Sequence, residues 1–174
     1  MNTKAGRLAL VLLVVSTIGC DRVTKHIAAT TLAGTPARSF MADTVRLQYA
    51  ENAGGFLSLG ADLDPAARMA VFTVGSGLML LVLVGAAIHG RWRGWPLLAL
   101  SLYAAGSASN LLDRIVRGSV IDFLNVGVGP VRTGIFNVAD MAIMLGMLML
   151  VLLHTRSGEP HEPPPAATPP APPA

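Results

Sequence analysis

Four apolar stretches set the terms on which this chain can fold. They run from Leu8 to Cys20, from about Met69 to Ile88, from Trp95 to Leu112 and from about Ile135 to Leu153. A hydrocarbon core of ~30 Å takes roughly 20 helical residues to cross. The middle two stretches qualify outright, and the first and last qualify if each carries a polar residue at one end. Backbone amides in lipid have no water to bond, so helices are favoured throughout. Composition agrees: 52% of residues are hydrophobic and 13% charged, where about a quarter of a soluble domain is charged. The sequence therefore predicts an all-α membrane protein with four transmembrane helices. A net charge of +3, scattered along the chain, gives no footing for nucleic acid. The single cysteine, Cys20, excludes a disulfide framework and a multi-cysteine metal site.

The connections are unequal. His89 to Gly94 forms a tight basic turn, whereas the loop after the first span is long. Within that loop Thr44 to Ala50 alternates polar and apolar residues, a strand signal. Asn52-Ala53-Gly54-Gly55 then reads as a turn that closes a hairpin onto Phe56-Leu57-Ser58-Leu59. The expectation is a small β-sheet cradle at the membrane surface, built in the long first extramembrane loop. Residues 1–155 make one four-span domain. Residues 156–174 hold eight of the twelve prolines and read as a disordered tail. Lys4 and Arg7, then Arg91 and Arg93, then Arg156 lie on one side of the four-span arrangement. By the positive-inside rule that side is cytoplasmic and holds both termini. Eight of the thirteen Lys and Arg fall on the other side, in the long loop or beside acids, where the rule is weak.

Met1 to Cys20 also has the form of a lipoprotein signal peptide: basic Lys4 and Arg7, an apolar run, then Thr17-Ile18-Gly19-Cys20. Thr17 stands where leucine is usual, and three more spans anchor the chain without any lipid. An uncleaved helix is the better reading, with Cys20 as a small buried hydrophobe.

Four spans place the polar residues together. The end of span one, the long loop, the end of span three, the next loop and the start of span four share one face of the membrane. Asp21, Lys25, Asn52, Asn110, Asp113, Arg114, Asp122, Asn137 and Asp140 all lie there, with eight of the ten acids. Ionisable groups at membrane depth cost ~2.5–3.5 kcal/mol at a helix centre, which makes them functional candidates. Asp21–Lys25 and Asp113–Arg117 are spaced i,i+4 and read as structural ion pairs at helix ends. Asn110 shares a helical face with Asp113 and Arg114. Asn137, three residues before Asp140, is placed to cap span four.

Asp122 and Asp140 differ in having apolar flanks, Val120-Ile121-Asp122-Phe123-Leu124 and Val138-Ala139-Asp140-Met141-Ala142, with no basic neighbour nearby. A carboxyl in apolar surroundings has its charged form disfavoured. Two such groups brought together share one proton, as an aspartic protease requires. Spacing alone leaves open that Asp122 faces water in a loop and that Asp140 merely favours a helix N-terminus. Other chemistries find less support. The four histidines are scattered without a zinc motif, and no Ser–Lys dyad or phosphate-binding glycine loop is evident. A transporter or channel would need polar residues in both membrane halves, and spans two and three offer little beyond Ser and Gly. The small-residue runs Gly75-Ser76-Gly77 and Ala104 to Ser109 suit close helix packing.

Five segments carry a family resemblance: Asp21-Arg22-Val23-Thr24-Lys25, Glu51-Asn52-Ala53-Gly54, Asn110-Leu111-Leu112-Asp113-Arg114, Gly118-Ser119-Val120-Ile121-Asp122-Phe123 and Phe136-Asn137-Val138-Ala139-Asp140. In this order, over residues 8–153, the chain resembles bacterial lipoprotein signal peptidase (signal peptidase II), an integral-membrane aspartic protease. The resemblance implies that Asp122 and Asp140 are catalytic. It implies that Asn52, Gly54, Gly106, Asn110, Arg114 and Asn137 line or brace the site and that Asp21 and Lys25 shape it. It further implies a substrate, a prolipoprotein whose cysteine carries a diacylglyceryl group and which is cut just before that cysteine. The site would face the periplasm or exterior of a bacterial inner membrane. The implied enzyme is a monomer among membrane lipids, needing no metal or other cofactor. Two departures stand out. Only Gly106 remains of the family's glycine-rich run before Asn110, and the loop reads Asn-Ala-Gly-Gly-Phe-Leu-Ser with its aromatic displaced by one position.

Overall fold

The computed structural model describes residues 4–55, 60 and 62–157. The hairpin partner expected at Phe56–Leu59 and the proline-rich tail beyond Ser157 lie outside the described residues, while residues 156 and 157, expected to open the tail, end the last helix.

The apolar run after Lys4 forms α1, Lys4–Thr31, which passes through Asp21 and Lys25 without a break. Its 28 residues rise about 42 Å at 1.5 Å each, enough to cross a bilayer. What α1 buries is Asp21, Lys25 and Ala28, while Val11, Leu12, Val15, Val23 and Ile27 stay exposed. Polar inward and apolar outward is the reverse of a water-soluble helix, and it suits lipid. Cys20 lies on the exposed side, not buried as the sequence suggested.

Asp64 caps the next helix by accepting bonds from the backbone N–H groups of Ala66 (3.0 Å) and Ala67 (3.1 Å), with proline following at the first helical position. Helix α2, Pro65–Arg68, continues through a π-helical stretch, Met69–Gly75, into α3, Ser76–His89. Helix α4, Trp95–Arg117, ends on Gly118, whose φ of 77° is the left-handed cap that glycine supplies without strain. Helix α5, Val138–Ser157, closes the described chain.

Among the described residues, the helices long and apolar enough to span a membrane are Pro65–His89 and Val138–Thr155. Helices α1 and α4 have the length, but α1 carries charges at both ends, Lys4 and Arg7 then Asp21, Arg22 and Lys25, and α4 is diluted by the polar residues it buries. The sequence reading of span lengths thus needs adjusting: the last span qualifies outright and the third does not, because α4 turns Ser109, Asn110 and Asp113 inward. Helices α4 and α5 approach closely. A Cβ at Gly106 would overlap the carbonyl oxygen of Ala139, and one at Gly146 would lie 2.5 Å from that of Ala99. The run Ala104 to Ser109 does serve packing, as its small residues suggested.

The fold is mostly helical, with one antiparallel sheet in the order β1-β2-β3-β4. Strands β1, Arg38–Phe40, and β2, Val45–Asn52, come from the long loop; β3, Val120–Val128, and β4, Val131–Arg132, come from the loop after α4. The sheet is therefore not confined to the first loop. The alternation in residues 44–50 marks β2, but its partner is β3, paired from Val45↔Val126 to Asn52↔Val120. Val120-Ile121-Asp122-Phe123-Leu124 is apolar on both faces of its first turn of strand, so period-two alternation is missing there. Ala28 of α1, Leu32 just beyond its end and Ile121 of β3 form a small core against Leu47, Tyr49 and Phe123. The sheet is thereby fastened to the last turns of α1.

The β1–β2 turn is strained. Met41, Ala42 and Asp43 all have positive φ, between 50° and 66°, at a cost of about 1–3 kcal/mol for each such non-glycine residue. Asp43 fixes the turn by accepting from Ser39 Oγ (2.6 Å) and Arg46 Nε (2.7 Å), while Arg132 Nη1 donates to its carbonyl oxygen (2.7 Å).

Candidate active site

The site begins as a buried lock of charge. Lys25 Nζ lies 2.7 Å from Asp21 Oδ2 and 2.8 Å from Asp113 Oδ2, joining α1 to α4. Arg22 also pairs with Asp113. Asp21 accepts from Ser109 Oγ (2.6 Å) and, through its other oxygen, from the backbone N–H of Ala139 (2.8 Å), which fastens α5 to the same post. Asp21, Lys25 and Asp113 are at most 2% exposed. Charges at that depth persist only when paired and hydrogen-bonded.

Lysine can only donate, so Asn110 must turn its oxygen toward Lys25 Nζ, at 2.7 Å. The amide nitrogen of Asn110 then points at Asp140 Oδ1, to which it donates at 2.8 Å. Asn137 performs the reciprocal cap expected at the start of α5. Its Oδ1 accepts from the Asp140 N–H (2.9 Å), and its own backbone N–H donates to Asp140 Oδ2 (3.1 Å). The Asn137 side-chain amide also donates to Asp122 Oδ1 at 2.6 Å. One asparagine, fully buried, thus touches both carboxylates.

Asn52, at the end of β2, donates to Asp122 Oδ2 (3.0 Å) and to the carbonyl of Gly55 (2.9 Å), while its oxygen accepts from the Gly54 N–H (3.0 Å). Arg114 Nη2 donates to the Gly54 carbonyl at 2.9 Å, and its Nε is buried without a partner. The Asn52 turn is therefore held from both sides, and it holds Asp122 in turn.

Among the described residues, the two carboxylates receive amide donors and no direct cation. Burial comes first in raising Asp122, followed by the negative charge of Asp140; together they push it from 3.8 up to about 6, against the opposing bonds from Asn52 and Asn137 and the field of Lys25. A groove of about 800 Å³ opens beside Asp140. Asp140, Asn110, Arg114 and Gly55 form its polar end, and the remainder is lined mostly by apolar side chains such as Phe72 and Met147, with Ser76, Ser107 and Tyr103 among them. Among the described residues, no three His, Cys, Asp or Glu side chains converge so as to hold a metal ion.

Ten residues singled out in the sequence therefore meet in one network: Asp21, Lys25, Asn52, Gly54, Gly106, Asn110, Arg114, Asp122, Asn137 and Asp140, with Gly106 acting through the α4–α5 contact. The expected Asp113–Arg117 pair does not form. Asp113 turns inward to Lys25 and Arg22, while Arg117 stays exposed on the last turn of α4. The reason is positional: a buried Lys25 leaves Asp113 no comparable alternative. Sequence reasoning missed Ser109 and Arg22. Ser109 lies four residues before Asp113, on the same helical face, and that spacing was the available signal.

Comparison with known proteins agrees. Residues 13–156 match the sequence profile of the family described as "Signal peptidase (SPase) II". The chain is 35% identical over 155 residues to a lipoprotein signal peptidase of Desulforapulum autotrophicum, covering 87% of this chain and 93% of that one. It is 33% identical over 156 residues to one from Pseudomonas syringae pv. tomato, covering 87% and 88%. Its fold resembles a bacterial membrane enzyme solved by the in meso method at 2.3 Å resolution, with TM-score 0.74 and 26% identity over 88% of this chain and 93% of that one. With a profile match over most of its length and relatives of this similarity, the chain belongs to the signal peptidase II family.

Proposed function

We propose that this chain is an integral-membrane aspartic endopeptidase that removes signal peptides from diacylglyceryl-modified prolipoproteins, cutting just before the lipidated cysteine. The observation that carries the reading is Asn137, bonded at once to Asp122 and Asp140. Helices α1, Pro65–His89, α4 and α5 each cross the bilayer. The carboxylates lie at the end facing the periplasm or exterior, and both termini are cytoplasmic.

The chemistry follows from a pair holding one proton. The ionised carboxylate takes a proton from a water molecule as its oxygen attacks the scissile carbonyl carbon. The protonated carboxyl gives its proton to the carbonyl oxygen, forming a neutral gem-diol. As that intermediate collapses, the C–N bond breaks and a proton passes to the departing amine of the cysteine. A diol proton returns to the pair, which again holds one. Arg114, at the polar end of the groove, holds the Gly54 carbonyl through Nη2 and so keeps the Asn52 turn in place. The apolar groove suits a signal peptide and acyl chains arriving sideways from lipid, and the enzyme acts as a monomer.

The test is processing of a diacylglyceryl prolipoprotein in vesicles, followed as a mobility shift and repeated with globomycin, the family's inhibitor. Asp122→Asn and Asp140→Asn should each abolish the shift while the protein remains folded by circular dichroism. Wild-type turnover in either variant would overturn the assignment.

A further inference from the structure

The sheet has two ends, and only one belongs to the site. Ala50↔Asp122 and Asn52↔Val120 mark the end beside the carboxylates. At the other end Val45 pairs with both Phe40 and Val126, and Val128 pairs with Val131. The β1–β2 and β3–β4 turns therefore emerge side by side. From Asp122 to Val128 the strand covers about 20 Å.

That far end is apolar and exposed. Phe40 is 48% exposed, Met41 78%, Val128 75% and Val131 78%. The left-handed backbone of residues 41–43, held by Asp43, Arg46 and Arg132, presents Met41 outward where a relaxed turn would not require it. Strain maintained by a dedicated network is motive to look for a role. At the tips Arg46 and Arg132 both pair with Asp43, which leaves a net positive charge among these three residues.

The depth of the sheet is fixed by its neighbours. Val23 and Ile27 of α1 are exposed apolar residues, and the next residue, Ala28, packs on the sheet. Ile115 and Val116 of α4 are likewise exposed, just before Gly118 and the start of β3. On the membrane-spanning reading, the outward apolar surface of α1 and α4 runs up to the start of the sheet, which sets the sheet at headgroup level.

We infer that the paired hairpin tips, Phe40–Met41 and Val128–Val131, insert into the outer leaflet and anchor the sheet about 20 Å from the carboxylates. The partner is a lipid surface with anionic headgroups, matched by apolar side chains within a basic rim. Anchoring at that distance fixes the tilt of the sheet, and with it the height of Asn52 and Asp122 above the acyl chains. The inference rests on the membrane-spanning reading but not on the catalytic one.

The full chain carrying Cys20→Ala and either Met41→Cys or Val128→Cys, labelled with an NBD fluorophore, would be reconstituted in phosphatidylethanolamine–phosphatidylglycerol vesicles. Both labels should show blue-shifted emission and at least twofold quenching by 5-doxyl lipid. Iodide quenching should be several-fold weaker than for the same label on N-acetylcysteine. Water-like emission with full iodide quenching would overturn the inference. So would shielding that resists doxyl lipid and disappears as protein is diluted in lipid, which would mean contact with a second copy of the chain. In an activity arm, the quadruple variant Phe40→Ser, Met41→Ser, Val128→Ser, Val131→Ser should process vesicle-embedded prolipoprotein three- to tenfold more slowly, yet match the wild type in detergent micelles. Unchanged vesicle activity, or an equal loss in micelles, would count against it. The labelling result stands whether or not the parent chain proves to be a protease.

Discussion

Two pairs of aspartates sit within one hydrogen-bonded network and are treated in opposite ways. Asp21 and Asp113 face Lys25, with Arg22 added to Asp113. Asp122 and Asp140 face Asn52, Asn110 and Asn137, which offer amide donors without net charge. A cation compensates a carboxylate's charge and makes protonation pointless. An amide orients a carboxylate while leaving its proton free to come and go. On the proposed function, the same side chain is a rivet in one place and an acid–base group elsewhere in the same network. Lys25 belongs to both regions, because its bond to Asn110 Oδ1 aims that amide at Asp140.

The sharpest way to break this contrast is to remove ionisability from one member of each pair. Asp122→Asn or Asp140→Asn should lower turnover by about 10³-fold or more, since both acid and base functions are lost. Asp113→Asn should act mainly through stability, retaining measurable turnover in whatever fraction remains folded. Single-turnover assays normalised to folded protein separate the two. A folded Asp113→Asn variant with no turnover would erase the distinction between the pairs.

Next in size is the lock. Lys25→Met leaves Asp21 without a cation and Asp113 with Arg22 alone, and breaking a buried pair in this way costs about 3–5 kcal/mol. Thermal unfolding in detergent should show a large drop in Tm. Adding Asp21→Asn to Lys25→Met should restore part of it, because the buried carboxylate left without a cation is then neutral. If the double variant is less stable than Lys25→Met, the charge-compensation account of this region fails.

The amide-held pair should reveal itself through pH. Asp122 titrates at about 6, above the ordinary 3.8. A raised carboxyl favours the folded state most below the unfolded value, and that contribution is lost as pH rises through the folded value. Between pH 4 and 7 the wild type should therefore lose roughly 2–3 kcal/mol at most from this group, and Asp122→Asn should lack that slope. Because the charge of Asp140 is the second cause of the shift, Asp140→Asn should flatten the slope in part. In the free enzyme kcat/KM should fall above about pH 6 as the shared proton leaves. A pH-independent kcat/KM between 5 and 8 would contradict the shared proton.

How legible this was depends on the range of the interaction. The cap formed by Asn137 with Asp140 and the pair formed by Asp21 with Lys25 are local, three and four residues apart, and helical spacing predicts both. The meeting of Asp122 with Asp140 needs β3 laid against β2 and α5 brought to α4. Apolar flanks made these residues candidates, but only the family resemblance chose them. The long-range pairing of β2 with β3 is not legible in the sequence for a related reason. A turn signal at Asn52–Gly55 suggests a neighbour close in sequence, whereas β3 lies some seventy residues on, in a strand whose burial on both faces hides the alternation. Cys20 and α4 were misjudged through the inverted logic of membrane helices, which turn polar residues inward and leave apolar ones outside.

The smallest expected effect concerns Asp113, and it tests whether burial or spacing decides an ion pair. Asp113 and Arg117 have favourable i,i+4 order, yet Asp113 is 1% exposed and paired across to α1, while Arg117 is exposed. An exposed arginine away from any buried charge contributes within about 0.5 kcal/mol. Arg117→Gln should accordingly leave Tm almost unchanged, whereas Arg22→Gln should lower it by about 1–3 kcal/mol in stability, since a charge-assisted bond to a buried carboxylate is lost. Lys25 still faces Asp113 in the second variant, which is why its effect stays below that of Lys25→Met. Equal losses in the two arginine variants would mean that Asp113 divides itself between α1 and its own helix, and that the lock is looser than its geometry implies.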